Sequence, residues 1–193
     1  MDEFETELCN YTGGMCAVAV DSCTNAIFLC LKWLRLFHYN GETTVQVPKY
    51  TYVGVAQAVL NAGYEIEWTD EDWKGEYQLH PFLIFDAAKR FHRDMYHGGF
   101  QCVSFHSAKI LSPGRGGAIL HDNLEFDEWA RKARFDGRDQ GDSYEKPGSI
   151  QIPGWRMYME PAMAVEGIRR LTYLPDHNDD QTDTYPDLSE LFP

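Results

Sequence analysis

Residues 102–117 read CVSFHSAKILSPGRGG, and the reading of the whole chain turns on them. The stretch opens with the pattern of a short buried strand and turns through small residues to a single lysine, Lys109. It leaves through Pro113, Gly114, Gly116 and Gly117 into a second apolar run, GAIL at 117–120. An ammonium group at the end of a buried strand is poorly solvated. Desolvation favours the neutral amine, the form that attacks carbonyls. A lone lysine in a turn is in most proteins a solvated surface residue, so the neighbours decide. Ser104 stands five residues earlier and can donate to a phosphate, and the glycines let backbone approach a flat ligand closely.

The chain has 193 residues, enough for one domain with a sizeable core, or one domain with a tail. Hydrophobic content of 44% fits a globular protein, and a formal charge of −13 argues against nucleic acid, whose phosphates call for a cationic face. The best candidate for a membrane span, residues 26–37, is broken by Lys32 and Arg35, and the acidic start MDEFETE lacks a signal-peptide pattern. None of the five cysteines forms a C-x-x-C pair, so no zinc site or disulfide framework is indicated. Cys9, Cys16, Cys23 and Cys30 recur every seven residues, but Gly13 and Gly14 break any helix they could share. His92, His97 and His106 lack the spacing of a helical metal pair and read as solvated loop residues. A reducing, cytoplasmic setting is expected.

Hydrophobic patterning predicts helices at 2–9, from about 24 to 37, at 53–62 and around Met163, Val165, Ile168 and Leu171. It predicts strands at 16–20, 43–47, 64–68, 81–85, 101–105 and 116–121. Strands that alternate with helices and read as continuous apolar runs point to an α/β sheet covered on both faces. Residues 175–193 are acidic and contain prolines, and are expected to form an extended tail after a domain at 1–174.

In such sheets ligands sit beyond the strand ends, where the candidate residues lie. Ser22, Cys23 and Thr24 open a helix after the first strand, as an anion cup or as an ordinary N-cap. Tyr52 follows the second strand, as a stacking face or as a core aromatic. Asp86 closes the run FLIF, as the partner of a ligand cation or as the cap of the next helix.

With these parts in order, S-F-H-S-A-K followed by G-R-G-G resembles the lysine segment of the DegT/StrS nucleotide-sugar aminotransferases, fold type I enzymes that use pyridoxal phosphate. Pro48 to Tyr52 resembles the family's P-x-aromatic-T-aromatic, and Asp86-Ala87-Ala88 its D-A-A. Gly154-Trp155-Arg156-Met157 is similar to its G-Y-N-Y-R-M segment, with Gly154 at the asparagine position. The resemblance implies a three-layer α/β large domain with a mostly parallel central sheet and no small C-terminal domain. It implies that Lys109 holds the cofactor aldehyde and shuttles protons, and that Ser104 with Ser22, Cys23 and Thr24 holds the phosphate. Tyr52 would stack on the ring and Asp86 would pair with its nitrogen. Cys23 stands where the family has glycine, and Lys89 stands beside the ring where it has glutamine or histidine. A strand and helix that other members carry are missing between Asp70 and Pro81.

The implied reaction moves an amino group from glutamate to a keto-sugar nucleotide. Lys109 argues against the family's dehydratase branch, where histidine replaces the lysine. A homodimer with shared active sites is implied, and Trp155 to Tyr158 carries residue types favoured in interface cores. The alternative is a pyridoxal phosphate-binding, scaffold or helper protein of the same fold with little turnover.

Overall fold

Strand β1 (Cys16–Val20) pairs antiparallel with β7 (Gly117–His121), and the central sheet grows from that pair. The computed structural model describes residues 1–38 and 41–192. Beyond β7 come β6 (Phe100–Ser104), β5 (Ile84–Asp86) and the short β4 (Tyr77–Gln78), in the order β1-β7-β6-β5-β4. Only the β5–β6 pairing is parallel, so the mostly parallel sheet anticipated from the sequence is corrected to a mainly antiparallel one. The cause is the Lys109 loop. Residues 105–116 form no crossover helix, so β7 returns beside β6 in the opposite sense. Strands β1, β5 and β6 nevertheless point the same way, and their C-terminal ends bring Ser22, Asp86 and Ser104 to one end of the sheet.

A second, parallel pair is made by β2 (Thr44–Pro48) and β3 (Glu65–Thr69), joined through helix α3 (Val53–Ala62). The Gln46 N–H donates to the His80 carbonyl at 2.8 Å and ties this pair to the larger sheet.

Alternation along the strands sends side chains into two cores. Val18, Val20, Cys102 and Ile119 face α2 (Cys23–Phe37) and α4 (Leu124–Ala133), which supply Ile27, Leu31, Phe126 and Ala130. Ala17, Ala19, Val103 and Leu120 face α1 (Asp2–Thr12) and α5 (Pro161–Leu171), which supply Phe4, Leu8, Ala164 and Leu171. Helix α1 runs on past the anticipated stop and ends at Gly13, whose φ of 81° closes the last turn onto the Cys9 carbonyl. Helix α4 and strand β4 were not anticipated. The signals for α4 are in the sequence: Asn123 caps it by accepting from the Phe126 N–H, acids sit in its first turn and bases in its last. Helix α5 turns Ala164, Gly167 and Leu171 inward and leaves Val165 exposed, because the small residues let it lie close on α1.

The outer edge of β1 meets side chains. Buried Glu5 accepts from the Ala19 N–H at 2.8 Å. Arg131 donates to the Ala17 carbonyl and Arg134 to the Ala19 carbonyl, and both arginines pair with Glu5. Burial pushes the Glu5 carboxyl up, but Arg134 and Arg131 outweigh it and hold the group below the usual glutamate value.

Residues 175–187 form no helix or strand and lead into a single 3-10 turn, Leu188–Glu190, and the segment is tied down; Pro193 lies outside the described residues. Asp176 pairs with Arg93, Asp180 with Arg90 and Asp187 with Lys49, and Leu188 is buried. No helix among the described residues is long and apolar enough to cross a membrane.

Candidate active site

A cavity of about 410 Å³ opens where β1, β5 and β6 end. It is lined by Ser22, Cys23, Thr24, Tyr52, Asp86, Lys89, Ser104 and Lys109, so the fold brings every anticipated site residue together. The geometry assigns them unequal freedom.

Asp86 sits at the cavity floor, 4% exposed. Its Oδ1 accepts from the Ala88 N–H at 3.0 Å and faces the Cys23 Sγ at 3.7 Å; its Oδ2 accepts from the Tyr77 hydroxyl at 3.0 Å. Tyr77 in turn lies 2.7 Å from the Thr51 hydroxyl. Burial raises the Asp86 carboxyl, opposed by the Ala88 and Tyr77 bonds. A carboxylate has about four lone-pair sites, so one more donor can be taken from the cavity side. Sequence reasoning missed Thr51 and Tyr77, because nothing in residues 70–80 marks Tyr77 as buried beneath Asp86.

Lys109 leaves a tight turn in which its N–H donates to the His106 carbonyl at 2.9 Å. It is half-buried, and its amine is held below the usual lysine value by burial and then by the neighbouring Lys89. Lys89 is 4% exposed and its Nζ pairs with Asp183. The charge opposite Lys89 therefore comes from the C-terminal segment, which the sequence reading left outside the site. Tyr185 follows in the same segment, donates to the Asp183 carboxylate at 3.0 Å and stacks on Trp73 with ring centres 6.1 Å apart. Together they form a wall at the cavity mouth.

Ser22 is the N-cap of α2; its Oγ accepts from the Asn25 N–H at 3.2 Å and donates to Asp21 Oδ1 at 3.2 Å. The N-cap reading is thus realised, and the helix N-terminus it caps still points at the cavity. Cys23 Sγ is turned into the core, 3.3 Å from the Cys102 carbonyl, and burial raises its thiol well above the usual value. Tyr52 is 55% exposed at the rim. A side chain at Gly54 would sit 2.5 Å from Thr24 Oγ1 and 2.7 Å from the Tyr52 ring, so only glycine there lets those two groups close on the cavity. Ser104 Oγ accepts a long 3.4 Å bond from the His106 N–H.

His92 and His97 lie outside the cavity; His97 Nε2 sits 2.8 Å from Glu76 Oε1. At the other end of the sheet, Cys16, His121 and Asp127 come within 4.8 Å of one another. His121 Nδ1 lies 3.3 Å from the Asn123 N–H and Nε2 lies 3.3 Å from Asp127, which Arg131 also holds.

Trp155 is partly buried, packing edge-on against Phe28 at 5.1 Å and near Trp129 on the flank of the core.

The profile of the DegT/DnrJ/EryC1/StrS aminotransferase family matches residues 1–89 and 77–192. The spore coat polysaccharide biosynthesis protein SpsC of Bacillus subtilis (strain 168) is 24% identical over 225 residues, covering 91% of this chain and 57% of SpsC. Among solved structures, AtS13 from Actinomadura melliaura aligns with a TM-score of 0.76 at 22% identity, over 90% of this chain and 59% of that one. The sugar aminotransferase CalS13 from Micromonospora echinospora aligns with a TM-score of 0.73 at 17% identity, over 89% and 60%. The chain therefore spans less than two thirds of these relatives. Carrying a match over most of its length, the chain belongs to the DegT/DnrJ/EryC1/StrS aminotransferase family.

Proposed function

We propose that this chain forms the cofactor-binding core of a pyridoxal phosphate-dependent aminotransferase acting on a keto-sugar nucleotide, with glutamate as amino donor. The observation that carries the reading is the convergence of Lys109, Asp86 and the capped N-terminus of α2 on one cavity.

The residues present fit the group that the family implies. Asp86 is a buried carboxylate with acceptor capacity left on its cavity side, suited to a protonated ring nitrogen. Ser22, Thr24 and Ser104 place hydroxyls beside a helix N-terminus, suited to a phosphate. The Tyr52 ring at the rim offers a stacking face. Lys109, with its amine biased toward the neutral form, is suited to the aldehyde carbon. When bound, the cofactor supplies an electron sink for charge developing at the donor's α-carbon.

The chain's own residues do the rest. Lys109 would act as general base at the donor's α-carbon, taking its proton, and then as general acid, delivering that proton to the cofactor's former aldehyde carbon so that the amino group stays with the cofactor. Asp86, braced by Tyr77 and the Ala88 N–H, keeps a positive charge on the ring nitrogen. Trp73 and Tyr185 limit the entry of water at the mouth. A homodimer with shared sites and a cytoplasmic location belong to the same reading and rest on family membership alone. A second reading, a binding protein with little turnover, is favoured by one observation: Asp183 and Tyr185 stand where a substrate would enter.

Incubation with pyridoxal phosphate followed by borohydride should fix cofactor mass on the peptide containing Lys109. Glutamate, added before reduction, should convert the absorbance of the bound cofactor from its carbonyl form to its amine form. Mass fixed on Lys89 would overturn the assignment of Lys109. Cofactor on Lys109 with a spectrum that no amino donor changes would favour the second reading.

A further inference from the structure

Residues 182–187 run along the cavity mouth between two firm anchors. At one end the Gln181 N–H donates to the Lys89 carbonyl at 2.9 Å, and the Gln181 carbonyl accepts from the Gly75 N–H at 3.3 Å. Next to it Arg90 grips Asp180 through Nε to Oδ1 at 3.1 Å and Nη2 to Oδ2 at 2.7 Å. Gly75, with φ 77°, has no side chain to obstruct that carboxylate; a Cβ there would lie 2.3 Å from it. At the other end Leu188 is buried, and its N–H donates to the Lys49 carbonyl at 2.9 Å. The span between belongs to no helix or strand, and Thr182, Asp183, Thr184 and Pro186 are exposed. Side chains hold it down. Asp183 pairs with Lys89, the Tyr185 hydroxyl donates to Asp183 at 3.0 Å, and the Tyr185 ring stacks on Trp73.

The Lys89–Asp183 pair is uneven. The Lys89 side chain is 4% exposed and that of Asp183 48%, so the cation belongs to the site and its counter-ion to the span above it. Asp176, Asp180 and Asp187 meet Arg93, Arg90 and Lys49, none of which lines the cavity; Lys89 does. Removing the carboxylate from a buried cation is costly, whereas exchanging one carboxylate for another leaves the cation paired throughout. A span held by side chains can therefore lift for an incoming carboxylate and stay down for a neutral ligand. Arg115 also borders the cavity, but it is 77% exposed and 3.9 Å from Asp21, where water screens its attraction.

We propose that Lys89 is a carboxylate-binding subsite of the cavity, and that Asp183 is its built-in ligand, which a carboxylate of the amino donor displaces on entry. Residues 182–187 then act as a strap that selects for charged donors. The inference deepens the aminotransferase reading and rests on it for the identity of the ligand as an amino acid.

The test is calorimetric titration of the full chain, without added cofactor, with succinate, a dicarboxylate that has no amino group to react. A tethered carboxylate competes at an effective concentration on the order of millimolar. The unmodified chain should therefore bind succinate weakly, and Asp183→Asn should bind it about tenfold more tightly. Tyr185→Phe, which keeps the ring on Trp73 and frees Asp183 of one bond, should give a smaller gain. Lys89→Met in the Asp183→Asn background should abolish the gain, and that pair of changes leaves no buried charge unpaired. Succinamide, the neutral analogue, should gain nothing from Asp183→Asn, and inorganic phosphate should gain less than succinate. The proposal is overturned by an Asp183→Asn chain that binds succinate no more tightly, by a gain that survives Lys89→Met, or by a larger gain for phosphate. If Asp183→Asn fails to fold, Tyr185→Phe decides, and an unchanged succinate affinity there overturns the proposal. Borohydride fixation of the cofactor is read separately. Gains as expected with no mass on Lys109 would sink the aminotransferase reading and leave the subsite standing; mass on Lys109 with no gain would do the reverse.

Discussion

Tyr77→Phe removes one oxygen from the centre of the Thr51–Tyr77–Asp86 chain and leaves the ring packed where it is. Both neighbours are buried, Thr51 at 1% and Asp86 at 4% exposure, so water could reach them only from the cavity side, away from the Tyr77 ring. A hydrogen bond to a charged acceptor contributes about 1.5–3 kcal/mol and one between neutral groups about 1, which puts the loss at roughly 2.5–4 kcal/mol near neutral pH. For a chain of this size that lowers Tm by about 5–16 °C. The loss also depends on pH. Burial holds the Asp86 carboxyl above its ordinary value of 3.8, and the Tyr77 bond pulls it back. A carboxyl raised in the folded state favours folding below its unfolded value, and that contribution is lost as pH rises through the folded value. Removing Tyr77's bond moves the folded value higher still, so the deficit of the variant should be largest near neutrality and should shrink in acid. Urea denaturation of both proteins from about pH 7 to about pH 4 measures this directly. Curves that coincide within about 0.5 kcal/mol, or a deficit that does not change with pH, would refute the reasoning.

Glu5→Ala breaks a buried pair and leaves the Arg134 guanidinium, 3% exposed, without its carboxylate; a loss of about 3–5 kcal/mol in urea denaturation is expected. Because the folded-state Glu5 carboxyl lies below the ordinary 4.5, its contribution is present above that value and fades as pH falls through the folded one, so the two proteins should converge in acid. Asp86→Ala should weaken retention of pyridoxal phosphate on dialysis while the circular dichroism spectrum is kept, and unchanged retention would reduce Asp86 to a cap for the Ala88 N–H. Trp155→Ala should cost about 2 kcal/mol in urea denaturation by removing a partly buried ring from beside Phe28, and a light-scattering mass that falls at temperatures below the melt would assign the ring to a subunit contact as well.

The elements that bury an uninterrupted apolar face were legible in the sequence. CAVAV at β1 and VGVAQAVLNA at α3 needed nothing beyond pattern and punctuation. The motif residues were legible as a group, because each follows a strand and the strands end together. Direction was not legible: pattern predicts a buried strand at 116–121 but not the sense in which it runs, and the Lys109 loop settles that. Helix α4 was passed over despite its caps, since its charged residues outnumber its buried ones and dilute the period. The C-terminal segment was the largest omission. Its acids read as solvation, and only in three dimensions do Asp176, Asp180, Asp183 and Asp187 each meet a base.

The side chains along β1 bear on how this protein can meet copies of itself. An edge strand ordinarily offers a row of open amides and carbonyls, a template on which another polypeptide can add a strand. Here Glu5, Arg131 and Arg134 occupy the amide of Ala19 and the carbonyls of Ala17 and Ala19, and the Asp21 amide is taken by the Met157 carbonyl. A newcomer would have to evict a buried ion pair before making its first ladder bond. Sheet-to-sheet joining and edge-seeded aggregation are therefore disfavoured at this end. Two copies that associate would leave the backbone of β1 out of the joint.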